Sequence, residues 1–169
     1  MAGGKLDARP GKAAVKTRWA LLWVPLLWGG AIVLSLSALA PRVFVHDENG
    51  KKLLSFPLYL GDTFRTEYIH SVQLCPVVDI YQADKRRIWL WEERTQSTNA
   101  GLPTEAPPRG RFVHFPPWYR YIGGGRAFRS FHLRVGDEHV GRNILTLPSG
   151  RVLPLFGLHP GRRLTFSVR

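Results

Sequence analysis

The sequence predicts an all-β domain, a single β-sandwich or barrel-like unit, following one N-terminal transmembrane helix. Three observations carry that expectation. Trp19 to Ala40 (WALLWVPLLWGGAIVLSLSALA) runs for 22 residues without a charge. A helix of that length covers about 33 Å, against a hydrocarbon core of about 30 Å. After Pro41 no segment holds a helical apolar period for the length of an ordinary helix. Short alternating or β-branched runs recur there instead, punctuated by Gly, Pro, Asn and Asp, which is the signature of strands and turns.

Residues 1–18 form a basic segment, with Lys5, Arg9, Lys12, Lys16 and Arg18 against Asp7. Positive charge on this flank holds the N-terminus in the cytoplasm. The expected location is therefore the bacterial inner membrane, crossed once, with residues 41–169 in the periplasm. Trp19 suits the headgroup level, and Pro25 is tolerated in a membrane span whose freed carbonyl finds a partner. Ala38-Leu39-Ala40 has the form of a signal-peptidase site. The apolar stretch nevertheless exceeds the roughly 7–15 residues of a signal core, and Pro41 is a poor residue after a cut. A lasting anchor is the expectation, cleavage the alternative. A buried helix of a soluble domain is disfavoured because the stretch is apolar all round.

The elements of the exported domain follow in order. Arg42–His46 and Leu53–Leu58 flank Asp47-Glu48-Asn49-Gly50, where Asn-Gly signals a hairpin. Gly61-Asp62 turns the chain into a strand over Thr63–Val72. Val77–Gln82 and Ile88–Arg94 flank the polar turn Ala83-Asp84-Lys85-Arg86. In the second of these strands Ile88, Leu90 and Glu92 are predicted on one face, and Trp89, Trp91 and Glu93 on the other. Thr95 to Arg111 is too long for a hairpin turn and reads as a surface or binding loop. Phe112–Phe115, Trp118–Tyr121, Ala127–Val135, Asn143–Leu147, Arg151–Phe156 and Arg163–Val168 complete the set of short strands. Gly123-Gly124-Gly125 lies between strands, so it reads as a wide hairpin loop; a phosphate-binding loop would lead from a strand into a helix.

Residues 41–169 carry 19 Lys/Arg and 11 Asp/Glu, a net +8. Such a charge would suit nucleic acid, but export excludes that partner. Anionic headgroups, an acidic protein or a carboxylate ligand fit the compartment. Cys75 is the single cysteine, so no intramolecular disulfide forms and the domain relies on its apolar core. A lone Cys between Leu74 and Pro76 reads as a small buried apolar residue.

The densest cluster runs from Tyr68-Ile69-His70-Ser71-Val72 through Gln73-Leu74-Cys75-Pro76 to Val77-Val78-Asp79-Ile80-Tyr81. If it forms a hairpin, His70 and Asp79 are expected near each other across the ladder, as in a catalytic dyad or a metal second shell. Ser71 cannot complete a triad, because adjacent strand residues face opposite ways. His70, Cys75 and Asp79 have no recognised zinc spacing and lack a fourth ligand. No catalytic residue, metal or cofactor is therefore expected. A structural hydrogen bond between strands is the leading reading, with ligand or partner contact behind it and a hydrolase using His70 and Asp79 last.

Tyr-Ile-His-Ser-Val, then Pro, an acidic residue and Tyr, then Ala-Gly-Leu-Pro some twenty residues on, resembles a bacterial family. It is the domain-of-unknown-function family eighteen-fifty, small exported proteins often encoded beside TRAP transporters of the TAXI type. The likeness falls on His70, Ser71, Val72, Pro76, Asp79, Tyr81, Ser97, Ala100, Gly101, Leu102 and Pro103. Two positions depart from the family: Asp79 stands where Glu is usual, and Asn99 where Gly is usual. Together with the anchor, the absent catalytic set and the basic, aromatic segment Arg109–Arg134, the resemblance leads to the expectation of a non-enzymatic accessory protein serving a TRAP-type uptake system, with transporter subunits or the receptor as partners. The alternative is a periplasmic module that grips a small carboxylate with Arg side chains near His70.

A second cluster, Arg109 to Arg134, interleaves six Arg with Phe112, Phe115, Trp118, Tyr119, Tyr121, Phe128 and Phe131 and contains no acid. Phe128, Phe131 and Leu133 read as core. Trp118, Tyr119 and Arg120, beside Pro116-Pro117, have the composition of interface anchors. Expected contacts are thus His70, Ser71, Asp79, Tyr81, Ala100, Gly101, Leu102, Pro103, Trp118, Tyr119 and Arg120. The other histidines show no partner pattern.

Overall fold

The computed structural model describes Trp28 and residues 40–169. The predicted span over Trp19–Ala40 thus lies outside the described residues but for Trp28 and Ala40. Among the described residues no helix is long and apolar enough to cross a membrane. Residues 40–169 form one compact all-β unit of two antiparallel sheets.

The smaller sheet has the order β2 (Lys52–Pro57), β1 (Arg42–His46), β12 (Arg163–Val168), β9 (Ser130–Arg134). The larger sheet runs β11 (Val152–Pro154), β10 (Gly141–Thr146), β3 (Phe64–Ile69), β4 (Pro76–Ala83), β5 (Ile88–Thr95), β7 (Trp118–Gly123), β6 (Gly110–Phe115). A two-residue β8 (Ala127–Phe128) also pairs with β5. The predicted hairpin at Asp47–Gly50 forms: Gly50 takes a left-handed φ of 79°, and the Asp47 carboxylate accepts the N–H groups of Asn49 and Lys51.

Alternation fills the core from both sheets. Val43, Val45, Leu164 and Phe166 come from the smaller sheet and Phe64, Tyr81, Ile88 and Leu145 from the larger, all buried. At the centre four rings close a circuit: Phe64 on Tyr81 at 5.0 Å, Tyr81 on Phe131 at 4.8 Å, Phe131 on Phe166 at 4.8 Å, and Phe166 on Phe64 at 6.0 Å. Each ring is nearly parallel to its neighbours. Such offset stacks add about 0.5–1.5 kcal/mol per pair beyond area burial.

Four sequence expectations are corrected. Ala127–Val135 is two strands, because the chain crosses from the larger sheet to the smaller at Arg129. Phe128 and Phe131, an odd number of residues apart, could not both face the core from one flat strand; the corner lets them. Gly123–Gly125 is not a hairpin, since β7 and β8 both run antiparallel to β5 and succeed one another along it. All three glycines have positive φ, so the chain bows out opposite Trp91 and returns. That bow faces a bulge in β5: Ile80 pairs with Glu92 but Tyr81 pairs with Leu90. Past it the faces exchange, so Glu93 joins Leu90 on the core side and Glu92 turns to the other side. Finally, Arg151–Phe156 stops as a strand at Pro154 and continues as a single helical turn, α1 (Leu155–Leu158).

The two ends of the unit differ. At one end, the Pro41 end, lie the start of β1 and the turns joining β2 to β3, β4 to β5 and β10 to β11. At the other, the His70 end, lie the β3–β4 turn, the long loop after β5 and the β6–β7 turn.

Candidate functional site

The β3–β4 connection is a six-residue turn, residues 70–75. His70 N–H donates to the Cys75 carbonyl and Leu74 N–H to the His70 carbonyl. The imidazole then folds back: its Nδ1 accepts the N–H groups of Val72 at 3.3 Å and Gln73 at 3.1 Å. Both bonds need Nδ1 as an acceptor, which puts the ring proton on Nε2. His70 is thereby the cap of its own turn.

The turn is tied to the loop after β5. Ser97 Oγ donates to Gln73 Oε1 at 2.9 Å, and Thr95 Oγ1 donates to the Ser97 carbonyl at 2.9 Å. Cys75 Sγ lies 3.8 Å from Thr95 Oγ1. Further along, Ala100 and Gly101 take positive φ, Leu102 is buried, and the Pro103 carbonyl accepts the Tyr121 hydroxyl at 2.6 Å. His70, Ser97, Leu102 and Pro103 thus shape two joined loops at one end of the larger sheet. Ser71 is exposed on the turn and makes no such bond among the described residues.

The expected approach of His70 to Asp79 does not occur. In the ladder Asp79 faces Thr66 on β3 and Glu93 on β5, while Ile69 already pairs with Pro76. His70 lies beyond that pair, so several strand residues separate it from Asp79, roughly 10 Å or more at about 3.3 Å each. The dyad fails because the observed register centres the turn between Val72 and Gln73, whereas placing His70 opposite Asp79 would need it centred two residues later.

What the ladder does bring together is a pair of carboxylates on the core side. Asp79 and Glu93 are directly opposed, with Tyr121 next in the row. Tyr81 donates its hydroxyl to Asp79 Oδ2 at 3.2 Å, and Arg126 reaches Glu93 Oε2 at 2.7 Å. Burial first, and the Glu93 charge second, push the Asp79 carboxyl up to about 7; the Tyr81 bond and Arg126 pull the other way. Burial, then the Asp79 charge, push the Tyr68 and Tyr81 hydroxyls upward too, so both stay protonated. The cluster can hold a proton near neutrality. Among the described residues no three His, Cys, Asp or Glu side chains are placed to hold a metal ion.

On the opposite side Glu92 is 5% exposed and held by Arg94 Nε at 2.7 Å and by Arg120 Nε. Burial raises its pKa, but the Arg120 and Arg94 guanidiniums outweigh that and the net shift is downward. Arg120 therefore has a structural partner, and neither guanidinium is free to grip a small carboxylate beside His70. Tyr119 stacks on His114 at 4.6 Å, and register puts it on the core side, whereas Trp118 and Arg120 alternate to the other. The three do not form one patch. Sequence reasoning did not count Gln73, Thr95, Glu92, Glu93, Tyr121 or Arg126 among the expected contacts. The available signal was Glu92-Glu93 directly after the apolar run Ile88–Trp91, where two carboxylates in a strand demand partners.

A family model described as "Domain of unknown function (DUF1850)" matches residues 64–152. That span starts with β3 and ends on the first residue of β11, so it takes in almost all of the larger sheet and both loops of the site. Neither the curated proteins nor the solved structures contain a match.

Proposed function

The chain belongs to the DUF1850 family, and on that premise we propose that it is a single-pass accessory protein of the bacterial inner membrane. In this reading the β domain stands in the periplasm and its His70 end contacts a subunit or the receptor of a TAXI-type TRAP solute uptake system. One observation carries the reading. The residues that carry the resemblance lie in two loops bonded to each other, and the first of these turns holds Val72 68% and Leu74 76% exposed. Leu74 does so with a φ of 50°, a left-handed conformation that costs an ordinary residue roughly 1–2 kcal/mol. Spending bonds and strain to present apolar side chains to solvent suits a contact surface better than a reaction centre.

A hydrolase gains no support, since the imidazole acceptor is occupied by backbone and Asp79 is remote from it. The test is site-specific photocross-linking from position 74 of the full chain in native membranes. It is expected to trap an uptake-system subunit, and Val72→Asp should abolish the product. If position 74 traps only the abundant lipoproteins that position 151 also traps, the proposal is lost.

A further inference from the structure

At the Pro41 end an exposed apolar turn stands between basic turns. In the β2–β3 connection Tyr59 is 47% exposed and Leu60 wholly exposed. Asp62 and the Tyr59 N–H hold this turn in shape, and Leu58 N–H donates to the Pro41 carbonyl at 2.9 Å. The exposed Leu60 turn therefore sits beside the point where the chain comes in from residue 40. Strand order places basic turns on either side of it, with Lys85, Arg86 and Arg87 between β4 and β5 and Arg151 between β10 and β11. Arg42 and Arg169 add two exposed cations at the neighbouring corner of the smaller sheet, where their backbones bond to each other.

The acids of this end are engaged. Asp84 accepts the N–H groups of Arg86 and Arg87 and the Trp89 indole, and Asp62 accepts Tyr59 N–H. At the opposite end the signs mix, with Asp47, Glu48, Asp137 and Glu138 standing among Lys51, Arg134 and Arg162.

We propose that the Pro41 end is a docking face for a bilayer surface containing anionic lipid, with Tyr59 and Leu60 entering the headgroup layer and the flanking cations binding its charge. This rests on the anchor reading of Trp19–Ala40. Only Pro41 separates that stretch from β1, and one residue spans about 3.5 Å. The headgroup region is about 5–7 Å thick on each side, so so short a connection leaves the domain no room to stand clear of it. An exposed Tyr and Leu flanked by basic turns have the composition of an interfacial contact.

The test uses the full chain with Cys75→Ser and a fluorophore on Leu60→Cys, in vesicles whose lipids carry headgroup nitroxides. Quenching at position 60 is expected to exceed that at a label on Val72→Cys by about two-fold or more. Phosphatidylglycerol should increase it, and the triple variant Lys85→Glu, Arg86→Glu, Arg87→Glu should reduce it. Equal quenching at 60 and 72, or no response to lipid charge, in chains that resist alkaline extraction would overturn the docking face and leave the anchor intact. Chains that alkali extracts, yet that float with anionic vesicles and not neutral ones, would refute the anchor and keep the docking face. Flotation with neither vesicle would remove both.

Discussion

Asp79 shows how a residue can be singled out from sequence and still be assigned the wrong neighbour. Its carboxyl is raised from 3.8 to about 7 by burial and by Glu93 directly opposite. The folded state therefore favours the protonated form. Its contribution to stability is fully present below the unfolded value of 3.8 and is lost as pH rises through about 7. Asp79→Asn keeps an oxygen for the Tyr81 hydroxyl and removes the charge. It is expected to stabilise the protein at pH 8, by no more than about 4 kcal/mol, and to change little at pH 4. Denaturant titrations at the two values decide; equal effects would sink the account. Glu92 responds in the other direction, because its two guanidiniums lower its pKa, so the stability it adds above its unfolded value is lost in acid. The two residue types were visible in the sequence. Their opposite environments were not, because the bulge at Trp91 decides which side of the sheet each faces.

Among the elements, the bow between β7 and β8 tests how local backbone chemistry serves packing. Gly124 has a φ of 88°, and a Cβ there would lie 2.6 Å from the Pro107 side chain. Gly125 has a φ of 67° and open space around it. Gly125→Ala should therefore cost about 1 kcal/mol of backbone strain. Gly124→Ala should cost about 2–3 kcal/mol, since the clash with Pro107 adds to the strain and would loosen the long loop after β5. Thermal unfolding of both variants measures the difference, and equal losses would refute the packing role. The glycine run was legible as irregular backbone. Whether it reversed the chain was not, because that depends on β5 pairing with both flanking segments. The same holds for Ala127–Val135, whose unbroken alternation conceals a change of sheet at Arg129.

At the scale of the molecule, the stacked circuit of Phe64, Tyr81, Phe131 and Phe166 joins two sheets into one core. Phe166 is fully buried and touches rings from both sheets. Phe166→Ala should cost about 3–5 kcal/mol. Amide exchange should then accelerate in both sheets together, because neither has a separate core. Protection lost from the smaller sheet alone would show two independent units. The two ends of the β unit, residues 40–169, also differ, with cations and Leu60 at the Pro41 end and the bonded loops with Val72 and Leu74 at the His70 end. The sequence by itself determined the all-β class, most strand positions and the Asn-Gly hairpin, because alternation and turn chemistry act over a few neighbouring residues. Only the tertiary structure decided which strands share a sheet, that His70 caps a turn instead of meeting Asp79, that Glu93 opposes Asp79, and which charges gather at each end. Those outcomes depend on register between distant segments, and a shift of one residue there reverses every facing that a sequence pattern suggests.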